Sequence, residues 1–94
     1  MSVVREIEGK EYSFRMTRKS VRKAEEAGMR VSSMGDTPML ALYYLWFAAI
    51  IADQPMPKGK SDDLLDAYLD DENCGESFED ILSSLGEEYA EVLA

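Results

Sequence analysis

The stretch Thr37-Pro38-Met39-Leu40-Ala41-Leu42-Tyr43-Tyr44-Leu45-Trp46-Phe47-Ala48-Ala49-Ile50-Ile51-Ala52 decides what kind of fold this chain can adopt. Thr37 is an N-cap residue type, and Pro38 after it suits the first helical position, where a missing N–H costs nothing. A helix is therefore expected from Met39 to about Ala52. Wound at 3.6 residues per turn, it places Leu42, Leu45, Trp46 and Ala49 on one side and Tyr43, Phe47 and Ile51 on another. A helix that is apolar all round is either buried or bound to something. Met39 to Ala52 is also the longest uncharged apolar run, and it falls short of the roughly 20 residues needed to cross a bilayer. No membrane span is expected.

N-terminal to this stretch, Val3 to Ile7 is short and rich in β-branched residues, and Glu8-Gly9-Lys10 reads as a turn. Glu11 to Met16 then alternates polar and apolar, with Tyr12, Phe14 and Met16 on one face. Two such runs around a glycine-containing turn predict a β-hairpin. An isolated hairpin is marginal in water, so this one must pack on something. Thr17 caps a helix over Arg18 to Ala27, with Val21 and Ala24 facing inward and Arg18, Lys19, Arg22 and Lys23 facing water. Gly28 ends it. Met29 to Gly35 reads as a loop carrying Val31 and Met34.

C-terminal to the apolar stretch, Asp53 to Lys60 reads as a loop containing Pro55, Pro57 and Gly59. Ser61 is expected to cap the next helix, with Asp62 and Asp63 favourable at its positive end. Leu64, Leu65, Tyr68 and Leu69 form that helix's apolar stripe. Glu72 to Glu76 breaks the pattern. Ser77 with Asp80 resembles a capping box, with Asp in place of the usual Glu or Gln. Phe78, Ile81, Leu82, Leu85, Tyr89, Val92 and Leu93 follow at helical spacing. Gly86 lies inside that pattern at a cost of roughly 1 kcal/mol against alanine, so a kink or split is expected there. The sum is an α+β fold: a β-hairpin (residues 1–16) packed on a small bundle of about four helices (residues 17–94), all one domain and mostly α.

A chain of 94 residues supports one core and hides only about 60 to 65 % of its unfolded surface, so apolar area is left over. The net charge of −9 is unevenly distributed. Residues 1–36 hold eight Lys/Arg against six Asp/Glu, leaving +2; residues 37–94 hold two Lys against thirteen Asp/Glu, leaving −11. Such acidity opposes general attraction to nucleic acid or anionic membrane. Arg15, Arg18, Lys19, Arg22 and Lys23 form a basic stripe, read as a solvated face balanced by the acidic half rather than a nucleic-acid contact. Cys74 is the only cysteine, so no internal disulfide can form, and the N-terminus carries charge where a signal peptide has an apolar region. A cytoplasmic location is expected.

Chemistry is sparse. The chain has no histidine, the commonest general base and metal ligand, so Cys74 has no Cys–His partnership. There is no phosphate-binding glycine loop. Asp70 to Gly75 has the flavour of a calcium loop, but Cys74 at its fifth position and Ile81 at its twelfth cannot ligate calcium. The acidic pairs sit at helix starts and on polar faces, where capping and dipole effects account for them. No enzyme activity, cofactor or metal is expected. The remaining function class is binding. One side of the apolar helix is assigned to the core, and Tyr43, Tyr44, Trp46, Phe47 and Ile51 are nominated to meet a partner or another copy of the chain, because a small domain has difficulty hiding so many large side chains and aromatic residues anchor interfaces. Six methionines add adaptable apolar surface.

The run Ile7-Glu8-Gly9-Lys10-Glu11-Tyr12-Ser13-Phe14-Arg15-Met16-Thr17, leading into a charged helix that ends at Glu25-Glu26-Ala27-Gly28 and then into an apolar and two acidic helices, resembles the tail assembly chaperones of long-tailed bacteriophages. Members of that family open with a similar I-x-G-K-x-Y-x-F hairpin and continue as a small helical domain. The resemblance implies a non-catalytic helper, absent from the finished virion, in the cytoplasm of the bacterial host. Its implied partners are the helical tape-measure protein, which it keeps soluble, and the tail-tube protein, whose assembly it assists. It supplies no site residues, so the nominated set rests on the physical argument alone. Two rival readings are an acidic inhibitor or DNA mimic, whose carboxylate contacts would be salt-sensitive, and a structural adaptor kept in the virion.

Overall fold

The computed structural model describes residues 3–30 and 35–94. Strands β1 (Val3–Ile7) and β2 (Lys10–Phe14) form an antiparallel hairpin, followed by helices α1 (Arg18–Glu26), α2 (Pro38–Ile50), α3 (Lys58–Asp70) and α4 (Phe78–Leu93). This is the expected α+β arrangement of a hairpin and four helices.

Local sequence explains most element boundaries. Glu8 and Gly9 both have positive φ (53° and 81°), and Ile7 pairs with Lys10, so the hairpin closes through a two-residue turn whose twist matches the strands. The turn is one residue shorter than Glu8-Gly9-Lys10, because Lys10 already belongs to β2. Thr17 and Ser20 exchange reciprocal bonds at the start of α1, and Ser77 and Asp80 do the same for α4. At the end of α1 the Met29 N–H donates to the Ala24 carbonyl and the Gly28 N–H to that of Glu25, a Schellman closure with Gly28 at φ 126°. It turns Met29 into the core at 2 % exposure.

Three expectations are corrected. Ser61 does not cap α3: the helix starts at Lys58 behind Pro57, the Ser61 N–H donates to the Pro57 carbonyl, and Ser61 is buried. Pro57, in extended conformation, ends the preceding loop four residues earlier than a Ser61 cap would have. Gly86 does not split α4, which runs unbroken from Phe78 to Leu93, because the apolar contacts on both sides of Gly86 hold it. Leu93 leaves the stripe and is 58 % exposed. Thr37 sits at the N-cap position of α2 without a side-chain capping bond; Pro38 supplies the start. The expected loop residues Val31 and Met34 lie outside the described residues.

The core is organised around α2. It packs against α1, α3, α4 and β2, and Leu42, Leu45, Trp46, Ala48, Ala49 and Ile50 are all at 1 % exposure or less. Each of its large apolar side chains contributes about 1.5–3 kcal/mol by leaving water. Ile7, Tyr12 and Phe14 of the hairpin, Val21 and Ala24 of α1, Leu64 and Leu65 of α3, and Ile81, Leu85 and Tyr89 of α4 complete a continuous cluster. The hairpin is latched to the end of α2: Gln54 accepts from the Ser13 N–H (3.0 Å) and donates to the Ser13 carbonyl (2.8 Å). The Ser13 hydroxyl donates to Asp53 (2.6 Å), and Arg15 forks onto the same carboxylate.

Candidate functional site

Apolar surface remains where α2 outruns its cover. Burial in α2 begins at Ala41, so the first turn stands beyond the core, with Met39 at 57 % and Leu40 at 58 % exposure. Tyr43 and Tyr44 of the next turn are half-buried against the core. A recess of about 260 Å³ opens between Leu40, Ala41, Tyr44, Gly28 and Met29. These residues form an apolar ridge with an aromatic base.

The base is fixed by α1 and α3. The Tyr43 hydroxyl donates to the Asp66 carboxylate. That bond, followed by burial and the charges of Asp66, Asp62 and Asp70, pushes the Tyr43 phenol up to about 12, so it stays neutral. The Lys58 ammonium lies 4.3 Å from the centre of the Tyr44 ring and 5.9 Å from that of Tyr43, and is itself paired with Asp62 at 2.7 Å. The Tyr44 hydroxyl presses on the end of α1, where a Cβ on Gly28 would come within 2.6 Å of it. Rigid aromatic rings flanked by mobile Met and Leu side chains can receive the apolar stripe of a partner helix.

Of the five nominated residues, Tyr43 and Tyr44 belong to this ridge. Trp46, Phe47 and Ile51 do not: they are 0 %, 7 % and 7 % exposed, covered by the chain itself. The Trp46 ring lies 4.5 Å from Phe14 and 5.7 Å from Tyr68, centre to centre. Encirclement of α2 by four other elements is the physical reason. Met39 and Leu40 escaped the sequence reading. Their signal was position: they follow a Thr-Pro helix start, where core cover is thinnest.

Residues 1–92 match the family described as Domain of unknown function (DUF5055). The chain belongs to the DUF5055 family. No curated protein and no solved structure matches it. The family match takes in both strands and nearly all of α4, so the hairpin and bundle together are the structure of a DUF5055 domain.

This DUF5055 domain also holds a buried cation that composition alone does not flag. Arg5 projects from the inner face of β1, and its side chain is 3 % exposed. It forks onto Glu76 (Nε to Oε1 2.7 Å, Nη2 to Oε2 3.1 Å) and lies 4.8 Å from the Phe14 ring centre and 5.8 Å from that of Trp46. The Tyr68 hydroxyl donates to the same carboxylate at 2.7 Å. Bonding to Arg5 holds the Glu76 carboxyl below the usual carboxylate range against an opposing effect of burial, and burial raises the Tyr68 phenol, helped by Glu76. Cys74 donates its thiol to the Glu76 carbonyl at 3.1 Å. The cluster fastens the hairpin to the segment between α3 and α4.

The basic stripe is exposed as expected at Arg18, Lys19, Arg22 and Lys23, while Arg15 is paired with Asp53. The Asp70–Gly75 stretch contains an Asx turn, with the Asn73 N–H on Asp71. Among the described residues no group of three or more His, Cys, Asp or Glu side chains is placed to hold a metal ion, and no helix is long and apolar enough to cross a membrane.

Proposed function

We propose that this DUF5055 domain is a phage tail assembly chaperone that binds the tape-measure protein, keeps it soluble and helps tail-tube subunits assemble around it in the host cytoplasm. The work is stoichiometric masking and handover, with no bond made or broken. The observation that carries this reading is the Met39–Leu40 ridge on its fixed Tyr43–Tyr44 base: an apolar surface on an otherwise strongly acidic molecule. A long helix with an apolar stripe aggregates when free, and several copies of a small ridge-bearing domain spaced along it would cover that stripe. The net charge of −9 favours solubility of the coated assembly. The resemblance of Ile7–Thr17 to the tail assembly chaperones points the same way.

The test is co-expression with a tape-measure fragment from the same genome, followed by capture and a high-salt wash. The expected result is a soluble complex that survives salt and is lost when Met39→Asp and Leu40→Asp are combined. Both side chains are exposed, so the double variant should keep the stability of the parent. A complex that dissolves in salt, with the double variant binding as well as the parent, would transfer the function to the carboxylates and favour an acidic inhibitor. A tape-measure fragment that stays insoluble would end the chaperone reading.

A further inference from the structure

The two edges of the hairpin are unequal. Ile7 and Lys10 flank a two-residue turn, so the hydrogen-bonded pairs are Ile7 with Lys10, Arg5 with Tyr12 and Val3 with Phe14. Val4 and Glu6 and, on β2, Glu11 and Ser13 therefore aim their N–H and C=O groups away from the hairpin. On β2 that edge is closed from Ser13 onward: the Gln54 amide pairs with both Ser13 groups, and the Arg15 N–H beyond it donates to the Ala49 carbonyl, leaving only the Glu11 groups beside the turn without a partner among the described residues. On β1 no group among the described residues bonds the outward groups of Val4 or Glu6. Val4 is 58 % exposed, and Val3 beside it 41 %.

An open edge is a template for another extended strand, and its surroundings select which strand. Towards the turn the edge borders a recess of about 300 Å³ lined by Glu6, Glu8, Gly9, Asp71 and Asn73, with three carboxylates and no cation. The Arg5 charge is turned to the opposite face and neutralised by Glu76, and the Lys10 ammonium lies over the Tyr12 ring at 5.3 Å. A second copy of this chain would bring another −9 to this rim, against the electrostatics.

We infer that the outer edge of β1 receives an extended segment of a partner protein carrying Lys or Arg at alternate positions, which adds a third strand through the N–H and C=O groups of Val4 and Glu6. With a repeat of two, one set of partner side chains falls on the face of Val4 and Glu6, where cations reach Glu6, Glu8 and Asp71. The surface is separate from the α2 ridge and does not rest on the chaperone reading.

The probe is a blocked heptapeptide alternating lysine and valine, with a glutamate–valine heptapeptide as control, titrated into the 15N-labelled full chain. The lysine peptide should shift the Val4 and Glu6 amide resonances and slow their hydrogen exchange; the glutamate peptide should do neither. Val4→Pro removes an N–H that serves no bond within the hairpin, so circular dichroism should be unchanged while binding falls at least about tenfold. Glu6→Lys with Glu8→Lys, at two exposed side chains, should weaken the lysine peptide and leave the fold intact. Exchange protection is read on the unaltered protein, so a poorly folding proline variant would leave the test decisive. The inference is overturned by equal binding of the two peptides, by no change at Val4 and Glu6, or by protection of these amides in a peptide-free dimer, which would give the edge to a second copy.

Discussion

Gly28 is the position where one added methyl group should do the most damage. Its φ of 126° is one that side-chain-bearing residues rarely adopt, and strain of this kind costs about 1–3 kcal/mol. A Cβ there would also meet the Tyr44 hydroxyl at 2.6 Å, well inside ordinary van der Waals contact, with the ring carbon behind it at 3.4 Å. Relieving that overlap means moving a ring held between Lys58 and the core, at roughly 1 kcal/mol or somewhat more. Gly28→Ala should therefore destabilise by about 2–4 kcal/mol, lowering the melting temperature by about 10–25 °C in a domain of this size. Tyr44→Phe deletes the clashing atom and leaves two ring carbons at 3.4 and 3.7 Å, ordinary van der Waals contact. In the Gly28→Ala background it should restore about 1 kcal/mol, while in the parent it should cost little. Urea unfolding of the parent, both single variants and the double variant closes the cycle. Additivity to within about 0.5 kcal/mol would refute the contact between the Tyr44 hydroxyl and the Gly28 backbone, and with it the account of how the ridge is anchored.

Glu76→Gln should destabilise by about 2–3 kcal/mol, short of the 3–5 kcal/mol typical of a fully buried broken pair because Glu76 keeps 30 % of its side-chain exposure, and thermal unfolding measures it. Because Arg5 holds the folded Glu76 carboxyl below its unfolded value, its contribution is fully present above about pH 4.5 and disappears as the pH falls through the folded value. The melting temperature should drop on acidification through that window, and Glu76→Gln should flatten the drop; an equally steep profile in the variant would assign the acid sensitivity elsewhere. Gly86→Ala should raise stability by about 0.5–1 kcal/mol, since α4 is continuous there and an added Cβ meets open space; a loss in urea unfolding would contradict the continuous helix.

The sequence carried the fold where its signals are local. The alternation of Tyr12, Phe14 and Met16, the Thr17 and Ser77 caps and the Gly28 stop each act within a few residues, and each element formed where its signal lay. The misreadings share a cause, which is competition from a non-local or neighbouring term. Ser61 is a good cap by type, but Pro57 upstream takes the start of α3. Gly86 is a weak link in an isolated helix, but Ile81, Leu85 and Tyr89 tie α4 into the core on both sides of it. The ridge was half legible: Tyr43 and Tyr44 could be nominated from chemistry, but removing Trp46, Phe47 and Ile51 required knowing that α2 is enclosed. Arg5 was not legible at all, since its burial depends on a carboxylate 71 residues away.

The central place of α2 has a consequence for the order in which the chain is made. Its neighbours β2 and α1 precede it, but α3 and α4 follow, and 26 residues separate Ile51 from the first residue of α4. At about 5–20 residues per second, the ribosome takes about 1–5 s to begin α4 after finishing the most apolar segment of the protein. During that interval the side of α2 on which α4 packs has no cover of its own. A message truncated before α4 would release a product with that greasy flank permanently open, prone to clump or to be degraded. Synthesis rate over codons 52–77 thus sets how long that flank waits for its cover to be made.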